Sequence, residues 1–254
     1  MIRIGCSGFH YKEWKGVFYP ADLPSKDWFG YYCRHFNTIE INSSFYGLPT
    51  VKTMDNWYHT SSDDFLFTIK APAKITHEAK FSDTEELISN FYQTIASGLK
   101  EKLGCVLFQL PPSFTYTADR LSLILKNLSQ AFHNVVEFRH ISWWNNDVFT
   151  EFKNKNVTFS GLSYPSALPD QVIQFTNPVY YRFHGKPVLY KSLYTAEEIS
   201  KFASVIVPVN KQVFVYFNNT WGTAALTNAA QLIELLNGRT GFCNKTTFLR
   251  LNGN

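Results

Sequence analysis

Eight short runs rich in β-branched and aromatic residues recur along the chain: IRIGCS (2–7), TIEIN (38–42), FLFTIK (65–70), GCVLFQL (104–110), VVEFRH (135–140), VTFSG (157–161), VYYRFH (179–184) and VFVYFN (213–218). Turn residues bound them, and most of the gaps carry helix-compatible patterns. KDWFGYYCRHF precedes the second run, TEELISNFYQTIASGLKEKL the fourth and ADRLSLILKNLSQAF the fifth, while NAAQLIELLN follows the eighth. Such alternation predicts parallel strands joined by helical crossovers. Eight units in 254 residues match the usual size of a TIM-type (β/α)8 barrel, and no linker, repeat or low-complexity tract divides the chain. The expectation is therefore an α/β protein, a single TIM-type barrel domain over residues 1–254. An open doubly wound sheet is the rival, but it would ordinarily carry G-x-G-x-x-G after its first strand, and GCSGFH does not match.

Composition excludes several classes. With 45% hydrophobic and 17% aromatic residues the chain is far too apolar to be disordered. Its formal charge of +4 gives no bulk argument for a nucleic-acid or membrane partner. Cys6, Cys33, Cys105 and Cys243 are scattered, without the close pairs of zinc sites or the dense framework of small secreted domains. They read as buried thiols in a reduced compartment. MIRIGCSGFH enters a strand at once, and no stretch reaches membrane-spanning length, so the expected setting is the cytoplasm.

Side chains alternate along a strand, so two faces separate on paper. Ile39 and Ile41 share one face of the second run against Thr38, Glu40 and Asn42. Val136 and Phe138 oppose Val135, Glu137 and Arg139 in the fifth. Thr68 and Lys70, Arg182 and His184, and Tyr216 and Asn218 repeat the pattern, and Ser7 and Gln109 fit it. In a barrel the apolar face meets the helices, so the polar face converges on the axis. These polar residues come late in their strands, at the end where barrel active sites lie.

The converging set holds carboxylates Glu40 and Glu137, cations Lys70, Arg139 and Arg182, and the neutral Ser7, Asn42, Gln109, His184, Tyr216 and Asn218. Two glutamates cannot neutralise three cations. The simplest completion is an anionic substrate group, for which Arg offers a two-point grip and Lys a point charge. On this reading Lys70, Arg139 and Arg182 hold the anion, Glu137 or Glu40 acts as general base, and His184 as acid or second base. The competing reading makes Glu137 and its arginines an interior ion pair that only sets strand register. His140 alternates away from Glu137 and is expected to hold the following loop. His77 and His10 lie in loops able to reach the mouth, as do the aromatics Phe9, Tyr11, Trp14, Phe45, Tyr46, Trp143, Trp144 and Trp221. No strong metal motif or P-loop is present, so no cofactor is predicted, and a divalent metal stays open.

Taken in order, GCSGF with YKEWKGVFYP, FNTIEINSSFYGLP, FTIKAPAKITH, KLGCVLFQLPPSF, VVEFRHISW, YYRFHG and YFNNTWGTAALTNA resemble the successive motifs of the YecE-like family, domain of unknown function 72. The resemblance spans nearly the whole chain. It implies a TIM-type barrel, often likened to xylose isomerase and endonuclease IV barrels, and a protein without an established activity. Motif by motif it carries over onto Glu40, Asn42, Lys70, His77, Gln109, Glu137, Arg139, His140, Arg182, His184 and Asn218. Phe9 stands where that family usually has tryptophan, and GLSYPSALP lacks the aspartate often found before its proline. Three functions follow as expectations: an acid/base enzyme for a phosphorylated or sugar-like anion, a nucleic-acid-binding or endonuclease IV-like protein, and a non-catalytic binding barrel. The sequence sets no oligomeric state.

Overall fold

A computed structural model describes residues 1–240. Cys243 lies outside the described residues. The described residues hold nine strands and seven α-helices in the order β1 Ile2–Cys6, α1 Trp28–His35, β2 Thr38–Ile41, α2 Val51–Thr60, β3 Leu66–Lys70, α3 Glu85–Leu99, β4 Leu103–Gln109, α4 Ala118–Asn127, β5 Asn134–Glu137, α5 Asn146–Asn154, β6 Thr158–Phe159, β7 Gly161–Ser163, β8 Val179–Phe183, α6 Ala196–Ile206, β9 Val213–Phe217 and α7 Ala224–Thr240. Every strand pair is parallel, as expected from helical crossovers.

The ladders form two sheets, ordered β1-β9-β8-β7 and β2-β3-β4-β5-β6, instead of one eight-stranded ring. The sixth expected strand, VTFSG, divides at Ser160 because the chain changes partner there. Thr158 and Phe159 pair with β5, whereas Gly161 to Ser163 pair with β8. Between them the Ser160 amide still donates to the Val136 carbonyl at 2.9 Å. At the other junction a single bridge joins Ser7 to Glu40. Gly5 makes that approach possible, since a Cβ there would overlap the Thr38 carbonyl oxygen.

Helix ends follow from their caps. Thr50, Thr117, Asn145 and Thr195 each accept a first-turn amide through the side chain, and Thr195 with Glu198 completes a capping box. The helices cover the apolar strand face through a large cluster that includes Ile39, Ile41, Phe67, Phe108, Phe138 and Phe183. A second, separate cluster of Cys105, Leu107, Val135, Tyr180, Phe214 and Tyr216 occupies the opposite face. That face is largely apolar in its middle layer, where Thr38 and Thr68 meet Tyr216, and Glu40, Lys70, Glu137 and Arg182 lie nearer the C-terminal ends of their strands. Among the described residues no helix is long and apolar enough to cross a membrane.

Candidate functional site

The polar residues above the inner apolar cluster form one ionic network. Glu40 and Glu137 are fully buried, and Arg182, 1% exposed, lies between them. Arg182 donates from Nη2 to Glu40 Oε1 at 2.6 Å and from Nη1 to Glu137 Oε2 at 2.9 Å. Glu40 also accepts from Ser7 Oγ at 2.6 Å and, on Oε2, from the Tyr180 hydroxyl at 2.6 Å. Glu137 Oε1 accepts from Arg139 Nε at 2.5 Å. Strand register explains the convergence: Ser7 bridges Glu40, Gln109 pairs with Glu137, and Arg182 pairs with Tyr216 on the neighbouring strand.

His184 extends the network. Asn42 Nδ2 donates to Asn218 Oδ1 at 3.4 Å, and Asn218 Nδ2 donates to His184 Nδ1 at 3.0 Å. His184 Nε2 lies 3.1 Å from Glu137 Oε2 and 3.2 Å from Arg139 Nη2, so the carboxylate favours a proton on Nε2 and the guanidinium favours a bare nitrogen there. Burial, reinforced by Arg139, lowers the His184 pKa to about 3, so the ring is neutral at pH 7. Burial alone would raise Glu137, but Arg139 and Arg182 outweigh it and hold the carboxyl well below its usual range. The two glutamates likewise outweigh burial at Arg182 and raise its pKa.

Lys70, at the end of β3, is the remaining cation. It donates to Gln109 Oε1 at 2.9 Å and sits 4.1 Å from the Phe45 ring centroid, and among the described residues it enters no ion pair. Burial, then the nearby Arg182, lowers its pKa to about 7 despite the opposing pull of Glu137 and Glu40. His77 is adjacent: its Nδ1 lies 2.9 Å from Thr76 Oγ1 and its Nε2 3.4 Å from Gln109 Nε2. Burial and Lys70 bring it to about 4. Asn42 Oδ1 is buried without a hydrogen-bond partner.

Eleven of the expected residues are therefore brought together: Ser7, Glu40, Asn42, Lys70, His77, Gln109, Glu137, Arg139, Arg182, His184 and Asn218. Tyr216 is not part of the mouth. It shares their face but lies one layer lower, where its hydroxyl meets Thr38 Oγ1 at 2.6 Å and Thr68 Oγ1 at 3.0 Å inside the apolar cluster. Its role there is packing.

His140 lies outside the network and caps the turn Ile141–Trp143, with Nδ1 2.8 Å from Ser142 Oγ. His10 packs at a tilt against Trp28, ring centroids 4.9 Å apart, and lines an outer cleft of about 730 Å³ with Phe9, Phe29 and Trp57, away from the network. Trp14 and Trp143 are buried, with indole N–H groups satisfied by the Gly222 and Phe114 carbonyls. Phe45 touches the site, while Tyr46 and Trp221 are exposed.

Three tyrosines escaped the sequence reading. Tyr180 shares the parity of Arg182 and His184, which could have revealed it. Tyr164 lies 4.1 Å beneath the Arg139 guanidinium and Tyr190 takes φ 62° after β8, both in loops without periodicity. Among the described residues no group of three or more His, Cys, Asp or Glu side chains is placed to hold a metal ion.

This chain is similar to proteins of one family. A solved DUF72 family protein from Thermotoga maritima superposes with a TM-score of 0.84 at 28% identity, covering 93% of this chain and 99% of that one. UPF0759 protein YunF of Bacillus subtilis is 27% identical over 93% of this chain and 95% of its own length. UPF0759 protein YecE of Escherichia coli is 36% identical over 110 residues, 43% of this chain and 40% of that protein. The family model described as "Protein of unknown function DUF72" matches residues 3–248, and the chain belongs to that family.

Proposed function

We propose that this chain is an acid/base enzyme that binds a small anionic molecule, phosphorylated or sugar-like, at the C-terminal ends of its strands. The observation that carries the reading is the charge arrangement: Arg139 and Arg182 are paired with Glu137 and Glu40, and Lys70 is left without a carboxylate. A bound anion would complete the set. Arg182 is enclosed by the two glutamates, so Lys70 and the outer edge of Arg139 take the anion, with Asn42, Gln109 and Asn218 as neutral contacts. Glu137 holds Arg139 and His184 in place, and the neutral imidazole of His77 is the proton acceptor.

The reading includes one closed barrel domain. In its support, Ser7 meets Glu40 at one junction of the sheets, and Ser160 joins them without a break at the other. A cytoplasmic setting agrees with the free thiols of Cys6, Cys33 and Cys105.

Thermal unfolding with inorganic phosphate, simple carboxylates and sugar phosphates tests the proposal. Phosphate at about a hundred times its Kd would stabilise the protein by about 2.7 kcal/mol, and Lys70→Met and Arg139→Ala would each remove most of that gain. No stabilisation by any of these anions, or equal stabilisation of the variants, overturns the anion site. Steeply salt-dependent binding of oligonucleotides would instead favour the nucleic-acid alternative. Undiminished binding by Glu137→Gln would favour a non-catalytic barrel.

A further inference from the structure

Lys70 differs from every other cation in the network. Its neighbours within contact are an amide oxygen and an aromatic ring, Gln109 Oε1 at 2.9 Å and Phe45 at 4.1 Å. An adjacent carboxylate would hold such an amine as an ammonium, whereas here burial, then Arg182, favours the neutral amine and outweighs the opposing pull of Glu137 and Glu40. At pH 7 about half of the Lys70 side chains carry a free lone pair, against about one in 2,500 for an ordinary lysine. The residue is partly exposed at the strand end. A desolvated lysine beside other cations is a nucleophile toward carbonyl carbon.

We propose that Lys70 captures the carbonyl of a small oxo acid as an imine, with the acid's carboxylate or phosphate held at Arg139. The proposal rests on the anion-site reading and names its substrate class. The Lys70 ammonium first gives one proton to solvent. Its lone pair then forms the C–N bond as the carbonyl π pair moves to oxygen. The carbinolamine oxygen takes up a proton from nitrogen and one from solvent, and leaves as water. Ammonium and carbonyl thus become protonated imine and water, with one positive charge on each side. The charge that Lys70 contributes to the anion site is retained.

Reductive trapping provides the test. The protein is incubated with glyoxylate and sodium cyanoborohydride between pH 6 and 9, and the adducts are mapped by peptide mass spectrometry. At pH 7 Lys70 is expected to react at least about tenfold faster than exposed lysines such as Lys52 and Lys201, because its larger free-amine fraction outweighs the lower nucleophilicity of a less basic amine. Added phosphate should slow it, and Lys70→Arg, checked for folding by circular dichroism, should lose the fast adduct. Labelling spread over exposed lysines, with Lys70 unmodified or no faster, overturns the imine. If phosphate stabilises the protein while Lys70 stays unmodified, the imine fails and the anion site stands. If Lys70 reacts fast and no anion protects or stabilises, the nucleophile stands and the anion reading fails.

Discussion

Replacing Arg182 with methionine is expected to lower the unfolding free energy by about 3–5 kcal/mol, because it strands two buried carboxylates without the cation they share. The guanidinium is the only described contact between Glu40 and Glu137, and water has no access to either. Denaturant unfolding should show a lower midpoint with an unchanged slope. Adding Glu40→Gln and Glu137→Gln to the variant should recover at least about half of the loss, since neutral amides remove the repulsion.

Acid should weaken the wild type through the same contacts. Glu137 is depressed in the folded state, so its contribution is fully present above the unfolded carboxyl pKa of about 4.3 and is lost as the pH falls toward the folded value. The Arg182→Met variant should show a flatter acid limb. A loss below about 1 kcal/mol would mean that the arginine is not the partner both carboxylates depend on.

Lys70→Met should act in the opposite direction, stabilising the protein by about 1–3 kcal/mol at pH 7 while weakening anion binding. A lysine whose folded pKa is about 7 binds fewer protons folded than unfolded between pH 7 and about 10.4. Stability of the wild type therefore rises with pH through that window. The advantage of the variant is complete below pH 7 and fades toward pH 10. The expected size is below the full linkage value because the side chain is partly exposed and its contacts with Gln109 and Phe45 are lost. Parallel unfolding curves of the two proteins at pH 6, 7, 9 and 10 measure the trend. A destabilised variant at pH 7, or a gap that widens with pH, would show that Lys70 stabilises the fold as an ordinary ammonium.

Much of the site is legible from period-two alternation. Glu40, Lys70, Glu137, Arg182 and His184 each follow an inward residue by an even step, and the excess of cations over carboxylates can be counted on the page. Alternation identifies a face and not a depth. Tyr216 has the same parity as Asn218, yet precedes it by one step and lies among apolar side chains. Register across strands decides which groups pair, so only the folded chain identifies Lys70 as the cation left over. The break at Ser160 is equally hidden. VTFSG is a continuous β-compatible run, and its change of partner depends on where β5 and β8 lie. Tyr164 and Tyr190 come from loops, where no periodicity exists to be read.

The measurement that bears most directly on the account is an NMR titration of the Lys70 side chain, assigned by its loss in Lys70→Met, in protein carrying isotope-labelled lysine. A midpoint near 7, well below the ordinary lysine value of about 10.4, is expected, with an upward shift when phosphate is added. A midpoint at the ordinary value of about 10.4, unmoved by phosphate, would contradict it.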